Sequence, residues 1–214
     1  MKRRFKQILR ETPLYHPYSR LRWHLRRARQ VSDWKRAGRP APPPDLVKER
    51  IIRSYRRQFD LRILVETGTY MGDMIAAMKN DFDHIYSIEL SEQLHEKARQ
   101  RFAGCERIHL LHGDSGVELG KLIGQLGGPT LFWLDGHYSG GITAKGDKET
   151  PIHEELLHVL GDTEADHVIL VDDARCFGNR TDYPTIEQLA ELVASKRPNA
   201  VLTVEDDIIR ITPT

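Results

Sequence analysis

The stretch Leu64-Val65-Glu66-Thr67-Gly68-Thr69-Tyr70-Met71-Gly72 decides the fold class. Arg62 to Val65 read as a buried strand and Gly72 to Lys79 as the start of a helix, with a glycine-bearing turn between them. An apolar run that drops through such a turn into a helix is the first β-turn-α unit of a doubly wound sheet. Ligands of these sheets lie outside the carboxyl ends of the strands, beside this turn. The residues of the turn also sort the ligands. A dinucleotide site needs Gly-x-Gly-x-x-Gly so that backbone can approach a pyrophosphate. Here Tyr70 occupies the place of the middle glycine, and Glu66 would set a negative charge against the phosphates. A ligand with a cationic amino-acid end suits that carboxylate.

His84-Ile85-Tyr86-Ser87-Ile88 reads as the second strand and ends on Glu89, at the spacing where an acid grips ribose hydroxyls in nucleotide-binding βαβ units. With these residues in place, the chain from about Leu46 to Thr214 resembles the class I (Rossmann-like) S-adenosylmethionine-dependent methyltransferases. The resemblance implies that Glu66, Thr67, Gly68, Thr69, Tyr70 and Gly72 hold the methionine end of the cofactor. It implies that Glu89 holds the ribose, and that Asp114 with Ser115, after the third strand, lies near the adenine. It also places Asp135, after strand four, at the cofactor edge.

The remaining pattern is consistent with this layout. Ser91 caps a helix whose Leu94, Ala98 and Phe102 share one face, and Ile108 to Leu111 form strand three. Ser115 and Glu118 have capping-box spacing before a helix with Leu122, Ile123 and Leu126 turned inward. Thr130 to Leu134 form strand four, Thr150 caps a helix with Pro151 at its first position, and His167 to Val171 form strand five. A helix over Tyr183–Lys196 precedes two final strands, Ala200–Val204 and Asp207–Ile211, with Glu205-Asp206 at their turn. The expected fold is therefore α/β: a doubly wound, seven-stranded, mostly parallel sheet. In the resembled family the last strand of such a sheet is inserted antiparallel.

Two strand ends carry further acids: Leu134-Asp135-Gly136-His137 and Val171-Asp172-Asp173-Ala174-Arg175. Carboxylates converging in a partly buried place need a cation, either a hard divalent ion such as Mg²⁺ or Arg175. Successive strand residues point to opposite faces, so Asp172 and Asp173 share a ligand only where the strand has bent. This pattern resembles the metal-dependent O-methyltransferases of the catechol and macrocin (sugar) types. That resemblance implies metal ligation by Asp135, Asp172 and Asp173, with His137 as the base that takes the acceptor's proton. Lys145 is the reserve candidate for the base or for contact with an anionic substrate. The loop glycines of Ser139-Gly140-Gly141 suit a lid.

Composition sets the limits. A chain of 214 residues fits one main domain, and no apolar run approaches the ~20 residues of a membrane span. The basic start is not followed by the apolar core of a secretory signal, and Cys105 and Cys176 lack metal-ligand spacing, so a cytoplasmic chain with reduced thiols is expected. Net charge near zero hides a split: residues 1–57 carry 18 Lys and Arg against 4 Asp and Glu, and the remainder 14 against 27. Residues 1–44 thus form a basic arm with interleaved Tyr15, Tyr18, Trp23 and Trp34 and a Pro40-Ala41-Pro42-Pro43-Pro44 hinge, and residues 45–214 form the catalytic domain. Such an arm suits an anionic membrane surface, which would make the chain peripheral, or a membrane-bound partner; packing on its own acidic domain or on a second copy in a homo-oligomer is the plain alternative. Nucleic acid is the less favoured polyanion. The function expected is S-adenosylmethionine-dependent O-methylation of a sugar, a polysaccharide precursor or another hydroxylated metabolite. A non-catalytic Rossmann-like module docking through the arm is the alternative from another class, and the clustered acids argue against it.

Overall fold

The computed structural model describes residues 15–136, 150–180 and 182–214. The chain divides into two compact units, Met1–Lys48 and Glu49–Thr214, and the division falls inside a helix a few residues beyond the proline hinge. In the first unit, helix α1 (Tyr15–Arg36) ends where Gly38 (φ 85) and Arg39 (φ 59) turn left-handed. Trp34 fixes that reversal: its Nε1 donates to the Pro40 carbonyl at 2.7 Å and the Arg39 guanidinium lies 5.5 Å above its ring. Helix α2 (Asp45–Gln58) begins at the hinge, with Asp45 in its first turn as the macrodipole favours.

The second unit is built on seven strands: β1 (Ile63–Thr67), β2 (His84–Glu89), β3 (Ile108–His112), β4 (Thr130–Leu134), β5 (Val168–Val171), β6 (Val201–Glu205) and β7 (Ile208–Thr212). Their order is β3-β2-β1-β4-β5-β7-β6, with β1 to β5 parallel and β7 antiparallel to both neighbours. The crossovers are α3 (Asp73–Met78), α4 (Glu92–Arg101), α5 (Ser115–Leu122), α6 (Ile152–Gly161) and α7 (Ile186–Lys196). Strand alternation sorts the core into two layers. Val65, Phe132, Leu134, Ile169 and Val171 pack with Leu119, Leu156, Val159, Leu189 and Val193 of α5, α6 and α7. Leu64, Ile85, Leu131, Trp133 and Leu170 pack on the other face with Ile52, Ile75, Met78 and Phe102. Central strands buried on both faces read as continuous apolar runs, as Thr130–Leu134 does, and each large side chain so buried contributes roughly 1.5–3 kcal/mol.

Three local expectations shift. The cap of α5 is Asp114, whose side chain accepts from Gly116 N at 2.8 Å, while Glu118 turns to Lys121; the Ser115–Glu118 capping box does not form. Helix α7 starts at Ile186 rather than Tyr183, because Thr185 and Gln188 make a reciprocal capping box just after Pro184. The terminal hairpin turns at Asp206-Asp207 (φ 54 and 62), the left-handed pair a two-residue hairpin requires, one position beyond Glu205-Asp206.

Candidate functional site

Going from β1 the chain crosses over to β2 on one side, while β4 lies on the other, so the switch point of the sheet falls between the carboxyl ends of β1 and β4. The two ends touch. A methyl group added at Gly68 (φ 82) would sit 2.5 Å from the Asp135 carbonyl, so only glycine lets the turn pass there. Asp135 N in turn lies 3.2 Å from Thr67 Oγ1, its acceptor.

The turn itself is tied to β2. Thr69 and Ser87 hydroxyls meet at 2.6 Å, and Ser87 donates to Glu66 Oε2 at 2.6 Å, so a chain of hydroxyls ends on the buried Glu66 carboxyl. Glu89 accepts from Tyr70 N and from Ser91 N, both at 2.8 Å, one on each oxygen. These bonds hold Tyr70 in a left-handed conformation (φ 48), with the Tyr70 and Met71 side chains exposed above the turn. Gly72 (φ 74) opens α3, where a β-carbon would meet the Phe102 ring at 2.7 Å. Arg101 secures the same corner through Asp73 at 2.7 Å and the Met71 carbonyl.

Glu66 is 3% exposed, and burial first, with Asp135 and Glu89 beside it, pushes its pKa up to about 8; the Ser87 hydrogen bond pulls the other way. At neutral pH and without a ligand this carboxyl is protonated. A positive charge placed beside it would favour the anion.

Sequence reasoning passed over Glu155. It lies on the buried face of α6 among Ile152, Leu156, Val159 and Leu160, is 0% exposed, and reaches the strand ends from the face opposite Glu66. A β-carbon on Gly136 would find Glu155 Oε1, Thr67 Oγ1 and Ser115 Oγ at 3.0, 3.2 and 3.3 Å. Burial raises the Glu155 pKa to about 7, with Asp114 and Asp135 adding to the rise and the Ser115 and Thr67 hydroxyls offsetting part of it. The signal was present in the sequence as an acid inside an apolar helical stripe.

The acids after β4 and β5 do not make the expected metal centre. The strand ends are in register, Asp172 N donating to Leu134 O at 3.0 Å. Asp173, however, turns left-handed (φ 59) and pairs with Arg175 at 2.7 Å, and Arg175 also binds Asp207 of the terminal hairpin. Arg175 therefore supplies the cation that Asp173 needs. Among the described residues no three of His, Cys, Asp or Glu come together to hold a metal ion, Asp135, Asp172 and Asp173 included. The expected bases, His137 and Lys145, and the glycine loop lie outside the described residues.

No protein-family model and no curated protein matches the sequence. Solved structures do match the fold. The O-methyltransferase TomG from Streptomyces achromogenes, involved in tomaymycin synthesis and solved with S-adenosylmethionine, superposes with a TM-score of 0.57 at 15% identity over 87% of this chain and 89% of its own. The Bacillus cereus O-methyltransferase in complex with S-adenosylhomocysteine gives 0.54 at 16% identity, over 86% and 89% of the two chains. An S-adenosylhomocysteine-bound methyltransferase from Podospora anserina gives 0.50 at 18%, over 78% of each. The fold is that of the class I methyltransferases. At these identities the likeness extends to the fold alone.

Proposed function

We propose that this chain is an S-adenosylmethionine-dependent methyltransferase acting on a hydroxyl of a sugar, a polysaccharide precursor or another small hydroxylated molecule. The observation that carries the reading is Glu66: a buried, protonated acid at the end of β1, under a turn with no dinucleotide glycine pattern, at the switch point of a methyltransferase-type sheet. Such an acid suits a ligand that brings its own positive charge. The cofactor supplies an electrophilic methyl carbon on a sulfonium. The chain supplies the rest. Glu66 and the Gly68–Gly72 backbone would orient the amino-acid end, and Glu89, which already fixes the turn through two backbone N–H groups, has lone pairs left for ribose hydroxyls. The backbone around Asp114 and Ser115 would border the adenine, and Asp135 the methyl. In-line displacement draws much of its acceleration from such positioning. The acceptor's proton needs a base on the Asp135 side, the role expected of His137 with Lys145 in reserve. Among the described residues Asp135, Asp172 and Asp173 form no group that could hold a metal ion, and no step is assigned to one.

Calorimetric titration of the full chain tests the reading. S-adenosylmethionine and S-adenosylhomocysteine should bind and NAD should not, and Glu89→Ala should weaken binding by about 1.5–3 kcal/mol. Tighter binding of NAD than of S-adenosylmethionine would overturn it.

The arm supports a second element of the proposal, docking to an anionic membrane surface or membrane-bound partner. Arg22, Arg26 and Arg29 follow one another at helical spacing along α1, and Trp23 and Leu25 are exposed at 53% and 60%. Cationic side chains flanked by an exposed indole and an exposed Leu suit a headgroup layer.

A further inference from the structure

We propose that Glu155 is a positioning residue that couples cofactor binding at the strand ends to release of a proton, and so makes the site favour the charged sulfonium over the neutral thioether product. The inference rests on S-adenosylmethionine being the cofactor. Its ground is geometric. A carboxyl at 0% exposure stands on the apolar face of α6, where a Leu would continue the stripe, and neither of its oxygens has a well-formed hydrogen bond among the described residues. Burying an acid this way is costly unless something compensates. Its surroundings are the parts of the proposed cofactor edge: Thr67 at the end of β1, Gly136 after β4, and Ser115 at the start of α5.

Among the described residues the charged groups that act on it are Asp114 before α5 and Asp135 after β4, and Glu154 and His158 share its helix. His158 is occupied with the Gly116 carbonyl at 2.9 Å. Acids dominate, so in the free site Glu155 keeps its proton well above the ordinary carboxyl range, to about pH 7. A sulfonium arriving beside Asp135 makes the local potential more positive, and Glu155 gives up its proton to the solvent. Methyl transfer removes that positive charge from the ligand, Glu155 takes a proton back, and the thioether product loses the attraction that held its precursor. Glu66 responds in the same sense from the opposite face of the sheet, so a Glu155 variant is what isolates the contribution of Glu155.

The test uses the full chain. The ratio of affinities for S-adenosylmethionine over S-adenosylhomocysteine should rise roughly three- to tenfold between about pH 6 and about pH 8, as expected for unit charges interacting across a partly buried site. In Glu155→Gln, folding confirmed by its melting curve, the part of the rise centred near 7 should vanish while affinity for the thioether stays within about twofold. A second measurement needs no variant: calorimetry in buffers of different ionisation enthalpy should show more protons released by the sulfonium than by the thioether near neutral pH. Equal release by both ligands, or the same pH-dependent ratio in Glu155→Gln, overturns the proposal. Failure of both ligands to bind the unaltered chain overturns the cofactor reading itself, a distinct result.

Discussion

At the residue scale two acids are almost fully buried at the strand ends. Glu66 and Glu155 have folded-state values of about 8 and about 7 against an ordinary 4.5. Between these limits the folded chain holds protons that the unfolded chain has released. The stability linked to them is full below 4.5 and is lost as pH rises to about 7 for Glu155 and about 8 for Glu66. The ligand-free protein should therefore melt at lower temperature near pH 9 than near pH 5, and Glu66→Gln should flatten that fall by on the order of a few kcal/mol. Thermal unfolding across pH checks it, and an unchanged profile in the variant would refute it. Gly68 makes a second residue-scale prediction. In Gly68→Ala the left-handed φ and the 2.5 Å approach to the Asp135 carbonyl act together, and a loss of about 2–4 kcal/mol in denaturant unfolding is expected. Glu66 was legible as an acid at the strand end of the switch point because it ends an apolar run. Glu155 carries only the signal of an acid inside the apolar stripe of its helix, and what the carboxyl faces shows only in the packed strand ends.

At the scale of elements, the caps and the terminal hairpin decide where segments begin and what they reach. The α7 capping box satisfies two backbone groups reciprocally, so Thr185→Ala should cost about 1 kcal/mol and lower the melting temperature without altering cofactor binding. Arg175 joins two elements that are far apart in sequence, since Asp173 follows β5 and Asp207 sits in the β6–β7 turn. Arg175→Met leaves two nearly buried carboxylates facing each other. The variant should lose about 1.5–3 kcal/mol of stability, as expected for lost hydrogen bonds to charged groups. Chemical unfolding tests this, and an unchanged stability would show that the pairing contributes nothing. Strands β1 to β5 were readable from apolar runs and turn residues. The pairing of Asp173 was not, since sequence places a metal and an arginine on equal footing as its counter-ion.

At the scale of the whole molecule, charge and composition separate a basic arm from an acidic domain, and contacts draw the division at Lys48, within α2. Removing residues 1–44 leaves Asp45 to start α2. The truncated chain should stay soluble, bind S-adenosylmethionine as the full chain does, and lose sedimentation with anionic vesicles. Retained sedimentation would place membrane contact elsewhere, and failure to fold would make the arm part of the core. Among the described residues no helix is long and apolar enough to cross a membrane.

The sequence by itself determined the fold class and the strand ends at the switch point, and it set the expectation of a cationic ligand rather than a dinucleotide. Those properties live in local patterns: apolar runs, turn glycines and the acids that close them. Only the tertiary structure decided which acids are neutral, which are paired and which face one another. Burial and distance govern those properties, and both are set by residues remote in sequence: Asp207 for the Arg175–Asp173 pair, Thr67 and Ser115 for Glu155, and Ser87 for Glu66.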